Sequence, residues 1–175
     1  RRIAEESGAP SQIVQAVITV NEHRKRRMAD KIIAACGGSV NGMTIAILGL
    51  TFKPNTDDMR EAPSLEIIPS LQSSGAVIRA YDPEGMEEAQ DLLKDVIWCQ
   101  NAYETMDGSD ALVIVTEWNE FRALDLGRVK ELLSAPVLVD FRNIYNSDEM
   151  EEAGFNYYSL GRPRSSERAL GPVRR

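Results

Sequence analysis

Histidine is almost absent from this chain of 175 residues: His23 is the single one, and it stands beside Arg24, Lys25, Arg26 and Arg27 with no nucleophile implied next to it. That leaves no material for a histidine-based triad or acid–base pair. Cysteine is scarce as well. Cys36 and Cys99 are far apart, with no C-x-x-C and no metal-ligand spacing, so both are expected to be plain reduced thiols. No apolar run approaches the roughly 20 residues that a membrane span needs, and no secretory leader is expected, so the expected setting is the cytoplasm. Positive charge is in deficit: 20 Lys+Arg against 27 Asp+Glu give a formal charge of −7. Broad binding to nucleic acid or to an anionic membrane is therefore excluded, though a local cationic pocket is not. There is also no G-x-G-x-x-G, so no loop can wrap a pyrophosphate in bare backbone N–H groups. The chain opens on Arg1-Arg2 without an initiator methionine and is expected to be a piece of something longer.

What is present is a set of buried-strand signals alternating with helical ones. The apolar runs Thr44 to Leu50, Val77 to Tyr81, Ala111 to Val115 and Val137 to Val139 read as strands covered on both faces. Val96 to Cys99 and Phe155 to Tyr158 are weaker candidates, the latter for an edge strand. Helical segments are expected from about Ser64 to Ser73, with a possible kink at Pro69, and at Glu84 to Leu93, Ala102 to Met106, Leu126 to Leu133 and Glu149 to Glu152; Trp118 to Phe121 reads as a turn or short helix. This alternation predicts an α/β fold: a Rossmann-like, doubly wound parallel sheet between two helical layers. A long helix precedes it, from Pro10-Ser11 to Ala35, with an apolar stripe through Val14, Val17, Ile18, Asn21, Met28, Ile32 and Ala35. Gly37-Gly38 closes it in the manner of a C-cap. Its basic cluster is either a solvated face or part of a linker or dimer helix whose apolar stripe meets a partner, where a buried Asn21 can fix register. The expected division is residues 1–36 as this helix, 37–160 as the sheet domain and 161–175 as a disordered tail rich in arginine and proline.

Ligands of open α/β sheets bind beyond the carboxyl ends of the strands. The loop after the first strand, which holds Lys53, Asp57, Asp58 and Arg60, is the prime candidate. Two readings are open from charge content alone. Lys53 and Arg60 bind an anion, or Asp57 and Asp58 pair with them and stiffen the loop. Arg142 follows the last clear strand and emerges at the same edge, which favours an anionic ligand such as a diphosphate. Glu117 and Trp118 arrive there too, Trp118 either stacking on a ligand ring or packing. Asp82 occupies the position of a Rossmann ribose-binding acid but, without the glycines, reads as a residue that caps the turn before the next helix.

The segments F-K-P-N-T-D-D-M-R-E-A-P-S, G-A-V-I-R-A-Y-D-P, T-E-W-N-E-F and V-D-F-R-N-I-Y, taken in order, resemble the UDP-binding carboxyl-terminal domain of the UDP-glucose/GDP-mannose dehydrogenases. The resemblance runs from about Ser11 to Leu160, and T-E-W is closer to the UDP-glucose branch than to the GDP-mannose or UDP-N-acetylmannosamine branches. It implies that Pro10 to Ala35 is the carboxyl-terminal part of a central helix that builds a homodimer. It implies that Phe52 and Lys53 contact the substrate nucleotide, that Arg142 reaches the sugar nucleotide across the dimer in the family's arrangement, and that Arg60 faces NAD across an interdomain cleft. It implies oxidation of a UDP-sugar at C6 with NAD as hydride acceptor. The family's glycine-rich NAD loop and its G-G-x-C-x-P-K-D segment with the nucleophilic cysteine have no counterpart here, and neither Cys36 nor Cys99 inherits that role. The chain alone is thus expected to be inactive, with no catalytic residue and no metal site of its own. Readings from other classes are a stand-alone nucleotide-binding module and a dimerisation unit.

Overall fold

Strand positions follow from apolar runs that can be buried on both sides. The computed structural model describes residues 27–161, within which six strands form one sheet: β1 (Thr44–Leu48), β2 (Val77–Tyr81), β3 (Val96–Trp98), β4 (Ala111–Ile114), β5 (Val137–Asp140) and β6 (Asn156–Ser159). Every pairing is parallel, in the order β3-β2-β1-β4-β5-β6. This is the doubly wound Rossmann order, with its topological switch between β1 and β4. The two-residue period of a strand splits the core in two. Ile45 and Ile47 of β1 and Val113 of β4 join one apolar cluster, while Ala46 and Leu48 with Leu112 and Ile114 join the other.

Helices cover both clusters. Over the first lie α1 (27–35), α2 (Ser64–Ser73) and α3 (Met86–Leu92), through Ala29, Ile32, Ile67, Ile68, Leu71 and Ala89. Over the second lie α4 (Ala102–Met106), α5 (Asn119–Arg122), α6 (Leu126–Leu132) and α7 (Ser147–Glu152), through Met106, Phe121, Val129 and Met150. The three-layer α/β/α expectation is met. Short polar side chains start several of these helices: Asn101 accepts from the N–H of Glu104 (2.9 Å), Asp125 from Arg128 (3.2 Å) and Asn146 from Asp148 (2.9 Å), each satisfying a donor that has no partner inside the helix. Helix α2 runs unbroken through Pro69.

Element ends moved where polar groups took over the backbone. The first strand stops at Leu48 rather than Leu50, because Gly49 turns the chain at φ 83° and the N–H groups of Leu50 and Thr51 go to the Asp82 carboxylate. The acidic helix starts at Met86 rather than Glu84, because the same carboxylate takes the N–H groups of Glu84 and Gly85. At α7 the start moves back to Ser147, where Asn146 supplies the cap. Residues 10–26 of the predicted long helix, with Val14, Val17, Ile18 and Asn21, lie outside the described residues, as does all of the predicted tail after Gly161. In the described part, Ala29, Ile32 and Ala35 are buried in the domain's own core. That end of the apolar stripe is consumed within the chain. Gly37 and Gly38 close the helix at φ 85° and 97°, with Gly38 N–H returning to the Ile33 carbonyl at 2.9 Å. Both cysteines are free, and burial followed by the Asp110 charge pushes the Cys36 thiol up to about 11.

Candidate functional site

Four loops meet beyond the carboxyl ends of the strands, and a single buried side chain ties three of them together. Asp82, at the end of β2, is wholly buried. Its Oδ2 accepts from Leu50 N–H (2.6 Å), Thr51 N–H (3.2 Å), the Thr51 hydroxyl (3.2 Å) and the Trp118 indole N–H (3.1 Å). Its Oδ1 accepts from Glu84 and Gly85 N–H at 3.1 and 2.8 Å. A buried carboxylate survives only when surrounded by donors, and this one is. It caps the turn after β2, as its place before Pro83 implied, and also anchors the loops after β1 and β4. Trp118 is 6% exposed and its N–H is spent on Asp82, so it packs rather than stacks on a ligand.

The loop after β1 begins at Gly49, where a Cβ would stand 2.7 Å from Thr116 Cβ and N. Only glycine permits that approach. The Thr116 hydroxyl donates to the Thr51 carbonyl at 2.6 Å, locking the β1 and β4 loops together. Phe52 N–H bonds the Asp58 carbonyl at 2.9 Å and closes a compact loop over 52–58. Phe52 is 51% exposed, a large aromatic ring with little to cover it, and Lys53 beside it is exposed and makes no ion pair among the described residues.

The other two candidate cations, Arg60 and Arg142, are already engaged. Arg60 grips Asp58 with Nε and Nη2 at 2.9 and 2.8 Å, and its main-chain N–H adds a third contact to the same carboxylate at 2.9 Å. Those hydrogen bonds from Arg60, with its charge and that of Lys53, lower the Asp58 carboxyl to about 2. Of the two aspartates read as loop stiffeners, only Asp58 acts so: Asp57 is exposed and makes no ion pair among the described residues. Arg142 makes a bidentate pair with Glu117 through Nε and Nη2. Burial works to raise the Glu117 carboxyl, but the bonds from Arg142 prevail and hold it below its ordinary value.

Arg142 is carried by a second buried acid that sequence reasoning passed over. Asp140, also wholly buried, accepts from Arg142 N–H (2.8 Å), Ile144 N–H (2.7 Å), Tyr145 N–H (3.3 Å) and the Tyr157 hydroxyl (2.7 Å). The signal was an acid closing an apolar strand run, the same pattern that singled out Asp82. A cleft of about 520 Å³ lined by Glu117, Arg122, Phe141, Arg142 and Asn143 opens here. A separate groove of about 640 Å³ runs past Asp57, Asp58, Met59, Arg60 and Leu92. Arg60 and Arg142 thus border different depressions. Strand β4 alone separates β1 from β5, placing the strands that carry Lys53 and Arg142 roughly 10 Å apart.

The described residues do not build a dinucleotide site by themselves: the glycine fingerprint is missing, and Asp82 is turned inward with its lone pairs taken. Nor do they contain a group of three or more side chains able to hold a metal. No described helix is long and apolar enough to cross a membrane. What remains is an uncommitted lysine, an exposed aromatic ring and a prepositioned arginine, all at the edge where Rossmann-type sheets bind ligands.

Comparison with known proteins bears on the family and the fold. The family model for the UDP-glucose/GDP-mannose dehydrogenase family, UDP binding domain, matches residues 46–147. The UDP-glucose 6-dehydrogenase of Rhizobium meliloti (strain 1021) is 50% identical over 162 residues, covering 93% of this chain and 37% of that protein. The UDP-glucose 6-dehydrogenase TuaD of Bacillus subtilis (strain 168) is 44% identical over 163 residues, covering 93% of this chain and 35% of its own length. Among solved structures, a UDP-glucose dehydrogenase from the hyperthermophilic archaeon Pyrobaculum islandicum superposes with a TM-score of 0.71 at 32% identity, covering 90% of this chain and 34% of that one. The chain therefore spans little more than a third of the relatives it matches. With the Rossmann order, the missing dinucleotide fingerprint and the 46–147 match in hand, the chain belongs to the UDP-glucose/GDP-mannose dehydrogenase family, through its UDP binding domain.

Proposed function

We propose that this chain is the nucleotide-sugar-binding portion of an NAD-dependent UDP-glucose 6-dehydrogenase, which converts UDP-glucose to UDP-glucuronate by a two-step oxidation at C6. The observation that carries the reading is the pairing of an uncommitted Lys53 with a half-exposed Phe52 on a loop held rigid by Asp82 and Thr116. Lys53 meets the diphosphate as a point charge, and Phe52 offers an apolar face to the nucleotide. Arg142 keeps the donors that Glu117 does not use and turns them to the same ligand. Binding energy taken up here, far from the reacting carbon, holds C6 in place for chemistry performed by residues outside this chain. NAD is held mainly by that other part of the protein, with Arg60 reaching toward it from the separate groove beside Asp58. The chain alone is inactive in this account. Residues 1–36 act as the end of a central helix that joins two subunits, residues 37–160 as the binding domain, and the protein works in the cytoplasm.

Substitution of Lys53 by alanine in the whole enzyme tests this. Loss of one charge-assisted contact costs about 1.5–3 kcal/mol, so KM for UDP-glucose rises at least about tenfold in an initial-rate assay of NADH formation. An unchanged KM would remove Lys53 from the site.

A further inference from the structure

Arg142 is restrained from several directions before any ligand arrives. Its main-chain N–H is fixed on Asp140 at 2.8 Å. The next residue, Asn143, sits in the left-handed region at φ 53° and exchanges two hydrogen bonds with Leu160, donating to its carbonyl at 3.1 Å and accepting from its N–H at 2.9 Å. The Arg142 guanidinium is held along the Nε/Nη2 edge by Glu117. Glu117 is in turn flanked by two anchored neighbours: Thr116, whose hydroxyl donates to the Thr51 carbonyl, and Trp118, whose indole N–H donates to Asp82. The carboxylate therefore has a fixed base from which to hold the arginine. The Arg142 side chain is 37% exposed and Glu117 25%, so the pair lies at the cleft wall rather than out in solvent.

We propose that Glu117 is a positioning residue for the nucleotide site: it clamps one edge of the Arg142 guanidinium so that the opposite edge faces the ligand in advance. The inference rests on the reading of this edge as the nucleotide-sugar site. Two effects of Glu117 oppose each other. Its negative charge weakens the pull of Arg142 on an anion, while its clamp removes rotamer freedom that binding would otherwise have to freeze. The bidentate geometry and the anchored flanks favour the clamp as the larger effect. Glu117 is then kept at this edge although its charge repels the ligand. A chain of contacts also follows, from Lys53's loop through Thr51 and Thr116 to Glu117 and Arg142, so both ligand-facing cations are set by one connected framework.

Two substitutions in the 175-residue chain separate clamp from charge. Glu117→Asp keeps the charge and shortens the reach. Glu117→Gln keeps the reach but loses the charge and one of the two acceptors, so that its NH2 faces a guanidinium N–H. UDP affinity by calorimetry should fall three- to tenfold in E117D and should also fall, not rise, in E117Q. In ligand-free chain, the Arg142 Nε–H cross-peak should be sharp in the parent and broadened or lost in both variants. Unchanged affinity in E117D, or tighter binding by E117Q, would overturn the clamp and leave Glu117 as a charge alone. No UDP binding by the parent chain is a different result: it overturns the nucleotide reading and the inference with it. Melting temperatures of both variants within a few degrees of the parent show that the fold is not what changed.

Discussion

Replacing Asp82 by asparagine should damage the domain far more than one lost negative charge suggests. Both carboxylate oxygens are acceptors, and six donors point at them from three loops. Asparagine has one oxygen and one NH2 group. Its better orientation keeps the oxygen toward Leu50, Thr51 and Trp118 and turns the NH2 into the N–H groups of Glu84 and Gly85. Those two backbone donors then face a donor, and each unsatisfied buried group costs about 1–3 kcal/mol. A total near 4 kcal/mol corresponds to a fall in Tm of roughly 8–16 °C for a domain of this size. Thermal unfolding followed by far-ultraviolet circular dichroism reads it directly. A Tm within 2 °C of the parent would mean that Asp82 is not the anchor of these loops, and that the rigidity attributed to the Phe52–Lys53 loop has another source.

Gly49→Ala should destabilise the domain by about 2–5 kcal/mol, the sum of a left-handed backbone cost and an overpacked contact, since its Cβ would meet Thr116 backbone atoms at 2.7 and 2.8 Å; the urea midpoint checks this, and an unchanged midpoint refutes the close approach. Asp58 is held down to about 2 by Arg60. Because its folded-state value is depressed, its contribution to loop order is present above the ordinary carboxylate range and is lost as pH falls through about 2. The Asp58 side-chain carboxyl resonance should titrate near 2 in the parent and move back toward 3.8 in Arg60→Gln, and an identical midpoint in the two proteins would show that the pair does not persist in solution.

Much of the scaffold could be read from apolar patterning, because a parallel sheet covered on both faces needs runs such as I-A-I-L and A-L-V-I in which alternate residues feed opposite cores. The ends of elements were less legible. Leu50 continues the apolar run after β1 but does not extend the strand, since a carboxylate more than thirty positions away claims its N–H and that of Thr51. At the site, Lys53 and Arg142 could be picked out as cations beyond strand ends. Which arginines were already paired could not: the Arg142–Glu117 pair joins residues 25 positions apart. The Asp58–Arg60 pair is local, and even so charge content gave no means of separating Asp57 from Asp58. Asp140 closes an apolar strand run as Asp82 does, but the run does not show its anchoring: the N–H groups of Arg142, Ile144 and Tyr145 reach it only through the turn after β5, and the Tyr157 hydroxyl only once β6 has docked beside β5.

The claim on which the rest depends is that this domain holds the nucleotide at the carboxyl-terminal edge of its sheet, through the loops after β1, β4 and β5. Titration of the isotopically labelled chain with UDP, followed through its amide resonances, tests it most directly. Shifts should concentrate in residues 49–63, 116–118 and 141–143, and Lys53→Ala should weaken the response about tenfold. Shifts gathered at the opposite edge, around Asn41 to Met43, Ser109, Asp110 and Pro136, or no shifts at saturating UDP, would contradict it.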